Sequence, residues 1–149
     1  MLSLPQGPCA ITFPRNQLLT LDTNETGPVV LEALNFDTGA QEWIACPTSE
    51  DRVILKNTQH GTFVGLRRMD LARNHAHIFG SNDPLEFCIE PAREPGCFQL
   101  YVPDIHNEGR KLYLGVSPLM VFPPRIALVS HQPKHSWRFN FTNNGLGSS

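Results

Sequence analysis

The chain has 149 residues, a size that suits one domain with its own hydrophobic core. Lys and Arg number 12 and Asp and Glu number 14, so the net charge of −2 excludes the strongly basic surface that binds nucleic acids or anionic membranes. No stretch approaches the roughly 20 consecutive apolar residues of a membrane span. We therefore expect a single domain over residues 1–142 with a flexible tail at 143–149, and neither a nucleic-acid nor a membrane partner.

The amino terminus has no basic segment followed by an apolar one, so the sequence predicts no signal peptide and a cytoplasmic location. The four cysteines, Cys9, Cys46, Cys88 and Cys97, include no C-x-x-C pair, which argues against a zinc site or a thioredoxin-like motif. In a reducing compartment we expect all four to be free thiols.

Short β-rich segments separated by Gly, Pro, Asn and Asp run through the chain, and helical periodicity is almost absent. The segments align as three repeats, at about residues 7–47, 48–95 and 96–142, each with four predicted strands. The first strands are predicted at 9–13, 52–56 and 98–102, the second at 17–22, 62–66 and 111–115, the third at 29–33, 75–79 and 125–129, and the fourth at 41–45, 85–89 and 135–139.

Each fourth strand carries an aromatic residue, Trp43, Phe87 or Trp137. Three four-stranded units predict an all-β fold, the β-trefoil, in which a six-stranded barrel is closed by three hairpins. One unit cannot bury its apolar face alone, but three units around a pseudo-threefold axis can, and closing the barrel removes the sheet edges. The alternative all-β fold, a sandwich, does not require threefold repetition.

Short motifs carry a resemblance to known proteins. Gln41-Glu42-Trp43 resembles the Q-x-W motif of ricin-type trefoils, and Phe87 and Trp137 stand in degenerate copies. The opening segment Leu2–Gly7 and the closing Trp137-Arg138-Phe139 resemble mushroom β-trefoils, which comprise the mycospin serine protease inhibitors, the mycocypin cysteine protease inhibitors and small fungal lectins. The resemblance covers the whole chain and implies the fold, but the three groups share one scaffold, so the fold alone does not choose among their functions.

The ricin resemblance implies a galactose site made of an Asp after the second strand, a ring at the end of the third, and an Asn before the Gln of Q-x-W. Repeat one has Asp22 and Gln41, but Glu32 or Ala33 replaces the ring and Ala40 replaces the Asn. Repeats two and three lack the Asp and the Gln as well. We therefore expect this site to be degraded, with Asp22 beginning a turn and Gln41 satisfying backbone groups.

A fungal trefoil lectin can use other surfaces, so glycan binding stays open. The rings available for it in repeat three are those of Tyr101, Tyr113 and Trp137.

The sequence gives little support to catalysis, and we expect no enzyme, no metal and no cofactor. His75 and His77 alternate along a predicted strand as two metal ligands would, but no third ligand has a suitable spacing. No nucleophile motif accompanies the cysteines, and no Gly-rich phosphate loop is present.

A protease inhibitor needs no reactive group, only a rigid exposed loop that presents a P1 side chain as a substrate would. The mycospin resemblance implies a reactive site in the loop at 22–28, with Asn24 as P1 between Thr23 and Glu25. The competing interpretation of this loop is an ordinary Asx-type turn ahead of Gly27 and Pro28.

Two further loops are candidates for the same role. The loop at 67–74 offers Arg67, Arg68 and Arg73, which suit the acidic S1 pocket of trypsin, although it can equally be a solvated basic loop. The loop at 46–51 lies between repeats one and two and contains no basic residue.

We therefore expect a monomeric inhibitor of trypsin-like serine proteases, for which the resemblance implies a role in defence against fungus-eating animals. One alternative is a cytoplasmic glycan-binding lectin. Another is a mycocypin-like cysteine protease inhibitor acting through loops at 14–16 and 35–39.

Overall fold

Twelve strands form in the part of the chain that the computed structural model describes, residues 7–14, 16–21, 23–34, 39–67 and 70–141. A short 3-10 helix, Gly39–Gln41, precedes the fourth strand, and no helix in these ranges is long and apolar enough to cross a membrane. The strands are β1 (Pro8–Phe13), β2 (Gln17–Leu21), β3 (Val29–Ala33), β4 (Trp43–Ser49), β5 (Arg52–Asn57), β6 (Phe63–Gly65), β7 (Phe79–Ser81), β8 (Phe87–Pro91), β9 (Cys97–Pro103), β10 (Lys111–Val116), β11 (Ile126–Val129) and β12 (Trp137–Phe141).

The first and fourth strands of the three repeats close a barrel. Antiparallel pairing runs from β1 to β4, β5, β8, β9 and β12, and β12 pairs back with β1. Each strand of this ring therefore has a neighbour on both sides, which leaves the barrel without a free edge.

The second and third strands form three hairpins, β2–β3, β6–β7 and β10–β11, and these bond to one another around the axis. The amide of Val29 donates to the carbonyl of Ile78 at 2.9 Å. The amide of Ile78 in turn donates to the carbonyl of Ile126 at 2.9 Å. The amide of Leu31 donates to Pro124 at 3.0 Å, which links repeat three back to repeat one. A closed six-stranded barrel with three mutually bonded hairpins is the predicted β-trefoil.

The aromatic residues of the fourth strands occupy matching places in the core. Trp43, Phe87 and Trp137 are all fully buried. The indole N–H of Trp43 donates to the carbonyl of Leu19 in β2 at 2.9 Å, and that of Trp137 donates to Leu114 in β10 at 3.0 Å. These corresponding bonds support the alignment of the repeats.

One predicted strand differs in position. The pattern predicts the third strand of repeat two at 75–79, but β7 is Phe79–Ser81. His75 has a φ of 72°, in the left-handed region that a β-strand does not use, and residues 76 and 78 bond across the axis to β11 instead. The fourth strands likewise begin at the aromatic residue rather than two residues before it. In repeat one the reason is that Gln41 lies in the 3-10 helix.

Candidate functional site

A cleft of about 700 Å³ lies on repeat two, beside the β6–β7 hairpin. It is bounded by the segment that follows β6, by the connection from β7 to β8, and by one residue of the β2–β3 loop of repeat one. Its lining residues are Thr26, Leu66, Arg67, Asp70, Gly80, Ser81, Asn82, Asp83, Pro84 and Leu85.

Local hydrogen bonds shape both walls of the cleft. On one side, the amide of Asp70 donates to the carbonyl of Arg67 at 2.9 Å, which holds Asp70 beside Arg67. On the other side, the amide of Asp83 donates to Oγ of Ser81 at 3.0 Å, and the amide of Leu85 donates to the carbonyl of Val64 at 3.0 Å. The connection is therefore held near both of its ends by hydrogen bonds from its own backbone amides.

The cleft combines charged, polar and apolar surface. Asp70, Asn82 and Asp83 are exposed and present carboxylate and amide oxygens, which accept hydrogen bonds from hydroxyl groups. The guanidinium carbon of Arg67 lies 4.3 Å from the ring centroid of Phe79, so the two side chains make a cation–π contact. Such a lining suits a neutral, hydroxyl-rich ligand, whose hydroxyls pair with the polar groups while its carbon face contacts Leu66 and Leu85.

A smaller cleft, of about 230 Å³, occupies the corresponding place on repeat three. It too lies between the end of the second strand, at Val116, and the connection from the third strand to the fourth. Its lining carries the ring of Phe13 and three groups that can be cationic, and the full set is Phe13, Val116, Val129, His131, Pro133, Lys134 and His135.

The structure places one of the two ricin-pattern residues of repeat one, Gln41, and this residue does not lie in an open site. Asp22 is outside the described residues. Gln41 is buried, and its Nε2 donates to the carbonyl of Ala33 at 2.7 Å and to Oγ1 of Thr20 at 3.3 Å, which confirms that it satisfies backbone groups.

Two of the three rings expected to serve glycan binding in repeat three are not available to a ligand. Trp137 and Tyr113 are buried, because both side chains pack into the trefoil rather than onto its surface. Tyr101 is half-buried, and its ring is covered by Nζ of Lys111 at 4.5 Å from the centroid. The expectation of a ring platform in repeat three is therefore wrong for Trp137 and Tyr113.

The β2–β3 loop forms the Asx turn that is the competing interpretation of this segment. Oδ1 of Asn24 accepts from the amide of Thr26 at 2.9 Å and from its Oγ1 at 3.2 Å, and the amide of Gly27 donates to the carbonyl of Asn24 at 3.1 Å. Thr23, Asn24 and Glu25 are all exposed. The role of Asn24 as P1 stays a prediction. In the structure the Asn24 side chain is hydrogen-bonded to Thr26 of its own loop.

The same loop is tied to repeat two. Oγ1 of Thr62 donates to the carbonyl of Glu25 at 2.6 Å, and the amide of Gly80 donates to the carbonyl of Gly27 at 2.9 Å. Because Thr26 also lines the cleft, the structure brings the loop of Asn24 and the loop of Arg67 together at one place.

The structure describes only some of the other candidate residues. Arg67 and Arg73 are exposed, with Arg67 in the cleft, and Arg68 lies outside the described residues. The segment at 46–51 joins β4 to β5 as a hairpin, with a register shift between Pro47 and Ser49. The mycocypin-like loops fall partly outside the described residues, at Arg15 and 35–38.

The structure shows the surroundings of His77 and the state of the four cysteines. Nε2 of His77 lies 3.1 Å from Oγ of Ser117, and within the ranges given above no three His, Cys, Asp or Glu side chains gather as metal ligands. All four cysteines are free, and burial, followed by the charge of Glu42, raises the pKa of Cys9 to about 12. That thiol is therefore protonated at neutral pH and unreactive.

Comparisons with known proteins support the trefoil. No family model matches the sequence, and no curated protein matches it. The ricin B-like lectin of Macrolepiota procera, solved in complex with lactose, has a TM-score of 0.74 at 14% identity, over 95% of this chain and 99% of that one. The chain has the β-trefoil fold.

Two further solved structures agree with this trefoil. The Rhizoctonia solani agglutinin has a TM-score of 0.69 at 17% identity, over 95% of this chain and 99% of that one. The designed threefold symmetric protein ThreeFoil has a TM-score of 0.67 at 11% identity, over 89% of this chain and 97% of that one. The trefoil neighbours therefore include both fungal lectins and a protein built on exact threefold repetition.

Proposed function

We propose that this protein is a glycan-binding lectin and that the cleft on repeat two is its sugar site. The observation that carries the proposal is the position of this cleft, between the end of the second strand and the connection from the third strand to the fourth. The ricin resemblance implies a sugar site at that position of a repeat; repeat two lacks the Asp and the Gln of that pattern, but its cleft supplies other carboxylates, Asp70 and Asp83. The structural neighbours include a lectin bound to lactose.

The chemistry of the cleft supports a sugar as ligand. Asp70, Asn82 and Asp83 offer acceptors for hydroxyl groups, and Leu66 and Leu85 offer apolar surface for the carbon face of a sugar ring. The described lining residues include no aromatic ring, so we expect weaker binding than a site with a stacking platform would give.

Glycan-array screening followed by isothermal titration calorimetry tests the proposal. Asp70→Asn and Asp83→Asn each remove a charged acceptor, and each should weaken binding at least about tenfold, since a hydrogen bond to a charged group is worth roughly 1.5–3 kcal/mol. Asp51→Asn, which changes an exposed carboxylate in the β4–β5 turn, is the matched control and should leave affinity unchanged.

Two outcomes would count against the proposal. If the wild-type protein binds no glycan on the array, the lectin function is wrong. If it binds a glycan with an affinity that neither cleft variant changes, the function holds and the cleft is the wrong site.

Inhibition of a trypsin-like protease, the first expectation from the sequence, has less support. The fungal neighbours reported above are lectins or agglutinins. The Asn24 loop is exposed, but it is bent into a turn, whereas a protease binds its substrate segment as an added, extended strand.

A further inference from the structure

The hairpin β10–β11 ends in an exposed apolar tip, Leu119–Phe122. Met120 is 98% exposed and Phe122 93%, while Leu119 and Val121 are 55% and 46% exposed. The whole stretch from residue 112 to residue 124 carries no charged side chain. Contiguous apolar surface of this kind marks an interaction site in a soluble domain.

The base of the tip is held in place. The amide of Ser117 donates to the carbonyl of Arg125 at 2.8 Å, and Oγ of Ser117 accepts from the amide of Leu119 at 3.1 Å. The same hydroxyl lies 3.1 Å from Nε2 of His77 in the neighbouring hairpin. The tip is therefore a projection with a fixed stem, and ordering it on binding costs little entropy.

The tip is too small to hold two copies of the chain together. Its four side chains expose on the order of 500 Å² in all. A stable dimer buries about 800 Å² on each partner. A second copy of this chain is therefore a poor occupant for the tip.

The backbone of the tip suits the boundary of a lipid bilayer. Amide groups without partners are costly in an apolar medium, but Pro118, Pro123 and Pro124 have no N–H, and the amide of Leu119 is already bonded to Ser117. Among the described residues, the tip then leaves the amides of Met120, Val121 and Phe122 for lipid headgroups or water to satisfy.

One guanidinium group, that of Arg125, adjoins the base of the tip. Arg125 closes the loop, and together with Arg67 and His75 it lies near enough to His77 to lower the pKa of that imidazole further, in addition to the larger effect of its burial. The guanidinium group of Arg125 can therefore pair with the phosphate of a lipid headgroup while the apolar side chains of the tip enter the bilayer.

We propose that the apolar tip inserts into the interfacial region of a phospholipid bilayer, with Met120 and Phe122 as its deepest side chains. The sequence predicts no membrane partner, from the overall charge and the lack of a spanning segment, and neither criterion detects a four-residue tip. This proposal does not depend on glycan binding, because a plain phospholipid surface carries no sugar.

Co-sedimentation with phosphatidylcholine vesicles tests the proposal on the full chain. The wild-type protein should pellet with the vesicles, and Phe122→Asp and Met120→Asp should each reduce the bound fraction at least about tenfold, since each places a charge where an apolar side chain was buried in lipid. Ile105→Asp is the matched control: Ile105 is 71% exposed on the β9–β10 connection, and its replacement should leave sedimentation unchanged.

The variants should fold normally, because both changed side chains are almost fully exposed, and near-ultraviolet circular dichroism checks this. If the wild-type protein stays in the supernatant, or if the tip variants pellet as it does, the proposal is overturned. Concentration-dependent dimerisation in analytical ultracentrifugation that the tip variants abolish, without vesicle binding, would replace the bilayer by a second copy of the chain.

Discussion

The two buried tryptophans each pack in the core and donate a hydrogen bond from the indole N–H. Trp43 and Trp137 bond to carbonyls of the second strand, at Leu19 and Leu114. Phe87 has no such donor, and the carbonyl of Val64 in its repeat accepts from the amide of Leu85 instead. The corresponding carbonyl of the second strand therefore accepts from an indole in repeats one and three and from a backbone amide in repeat two. If Trp137 is changed to Phe, no such amide replaces the lost indole donor in repeat three.

Trp137→Phe should lower the free energy of unfolding by about 1–3 kcal/mol, because it leaves the carbonyl of Leu114 buried without this donor. Trp137→Ala should cost more, about 3–5 kcal/mol, because it also opens a cavity. Urea denaturation at neutral pH measures both. A Phe variant as stable as the wild type would show that the indole bond contributes nothing to stability.

Asp104 makes stability depend on pH in the acid range. Its buried carboxylate accepts from the amide of His106 at 2.9 Å and from Nδ2 of Asn107 at 3.4 Å, and it pairs with Nε of Arg110 at 3.3 Å. These contacts, chiefly the backbone bond from His106, lower the pKa of Asp104. The stabilisation is therefore fully present above about pH 4, the unfolded-chain value, and is lost as pH falls through the lower folded value.

Urea midpoints measured from neutral to acid pH should fall less steeply for Asp104→Asn than for the wild type. Asn107→Ala removes one donor and should move the loss of stability toward higher pH. Identical profiles for the wild type and Asp104→Asn would rule out this contribution.

At the level of elements, the alternating pattern predicts strands well and hairpin loops poorly. Ten of the strands lie where their repeats place them to within two residues at either end, because each needs buried residues on one face. The strand β4 extends further, to Ser49, since it continues into its hairpin with β5, and β7 is displaced by the left-handed backbone at His75. A single histidine in that conformation leaves no mark in an apolar-polar pattern.

The β2–β3 loop still permits a direct test of protease inhibition. Asn24→Ala should weaken trypsin binding by at least about 2 kcal/mol if Asn24 is P1, while Arg67→Ala and Arg73→Ala should have little effect. Since Asn24→Ala also breaks the Asx turn, Asn24→Asp is the sharper variant. It keeps an acceptor for Thr26 but places a carboxylate against the acidic S1 pocket.

Progress curves of trypsin cleavage with each variant decide the assignment. Loss of inhibition with the arginine variants and none with the Asn24 variants would move the site to the 67–74 loop. Full trypsin activity at micromolar wild-type protein would end the inhibitor hypothesis.

At the scale of the whole molecule, threefold repetition is visible in the sequence, whereas the cleft is not. The aromatic residues of the fourth strands, together with the spacing of the strands, are sufficient to predict the trefoil. The cleft joins Thr26 of repeat one to Asp70 and Asp83 of repeat two, and the amide of Asp70 is bonded there to the carbonyl of Arg67. The sequence pattern does mark Arg67, but for a different role.

Gly80 lies where repeat one packs closely against repeat two, and it also lines the cleft. A Cβ at Gly80 would lie 2.1 Å from the carbonyl oxygen of Glu25 and 2.9 Å from Cδ2 of Leu21, both in repeat one. Gly80→Ala should therefore push the β2–β3 loop away and lower the free energy of unfolding by about 1–3 kcal/mol.

Gly115→Ala is the control for Gly80→Ala, because the Cβ it adds would meet only side-chain atoms, Cγ2 of Val129 at 3.0 Å and Cγ of Pro133 at 3.3 Å, which can shift. Thermal and urea unfolding should show a larger loss for Gly80→Ala than for Gly115→Ala. Gly80 and Thr26 line the cleft, so the same variant should also weaken any glycan bound there. Equal stability of the two variants would mean that the β2–β3 loop moves away from residue 80 at no cost in free energy. The packing of repeat one would then not hold the cleft of repeat two in shape.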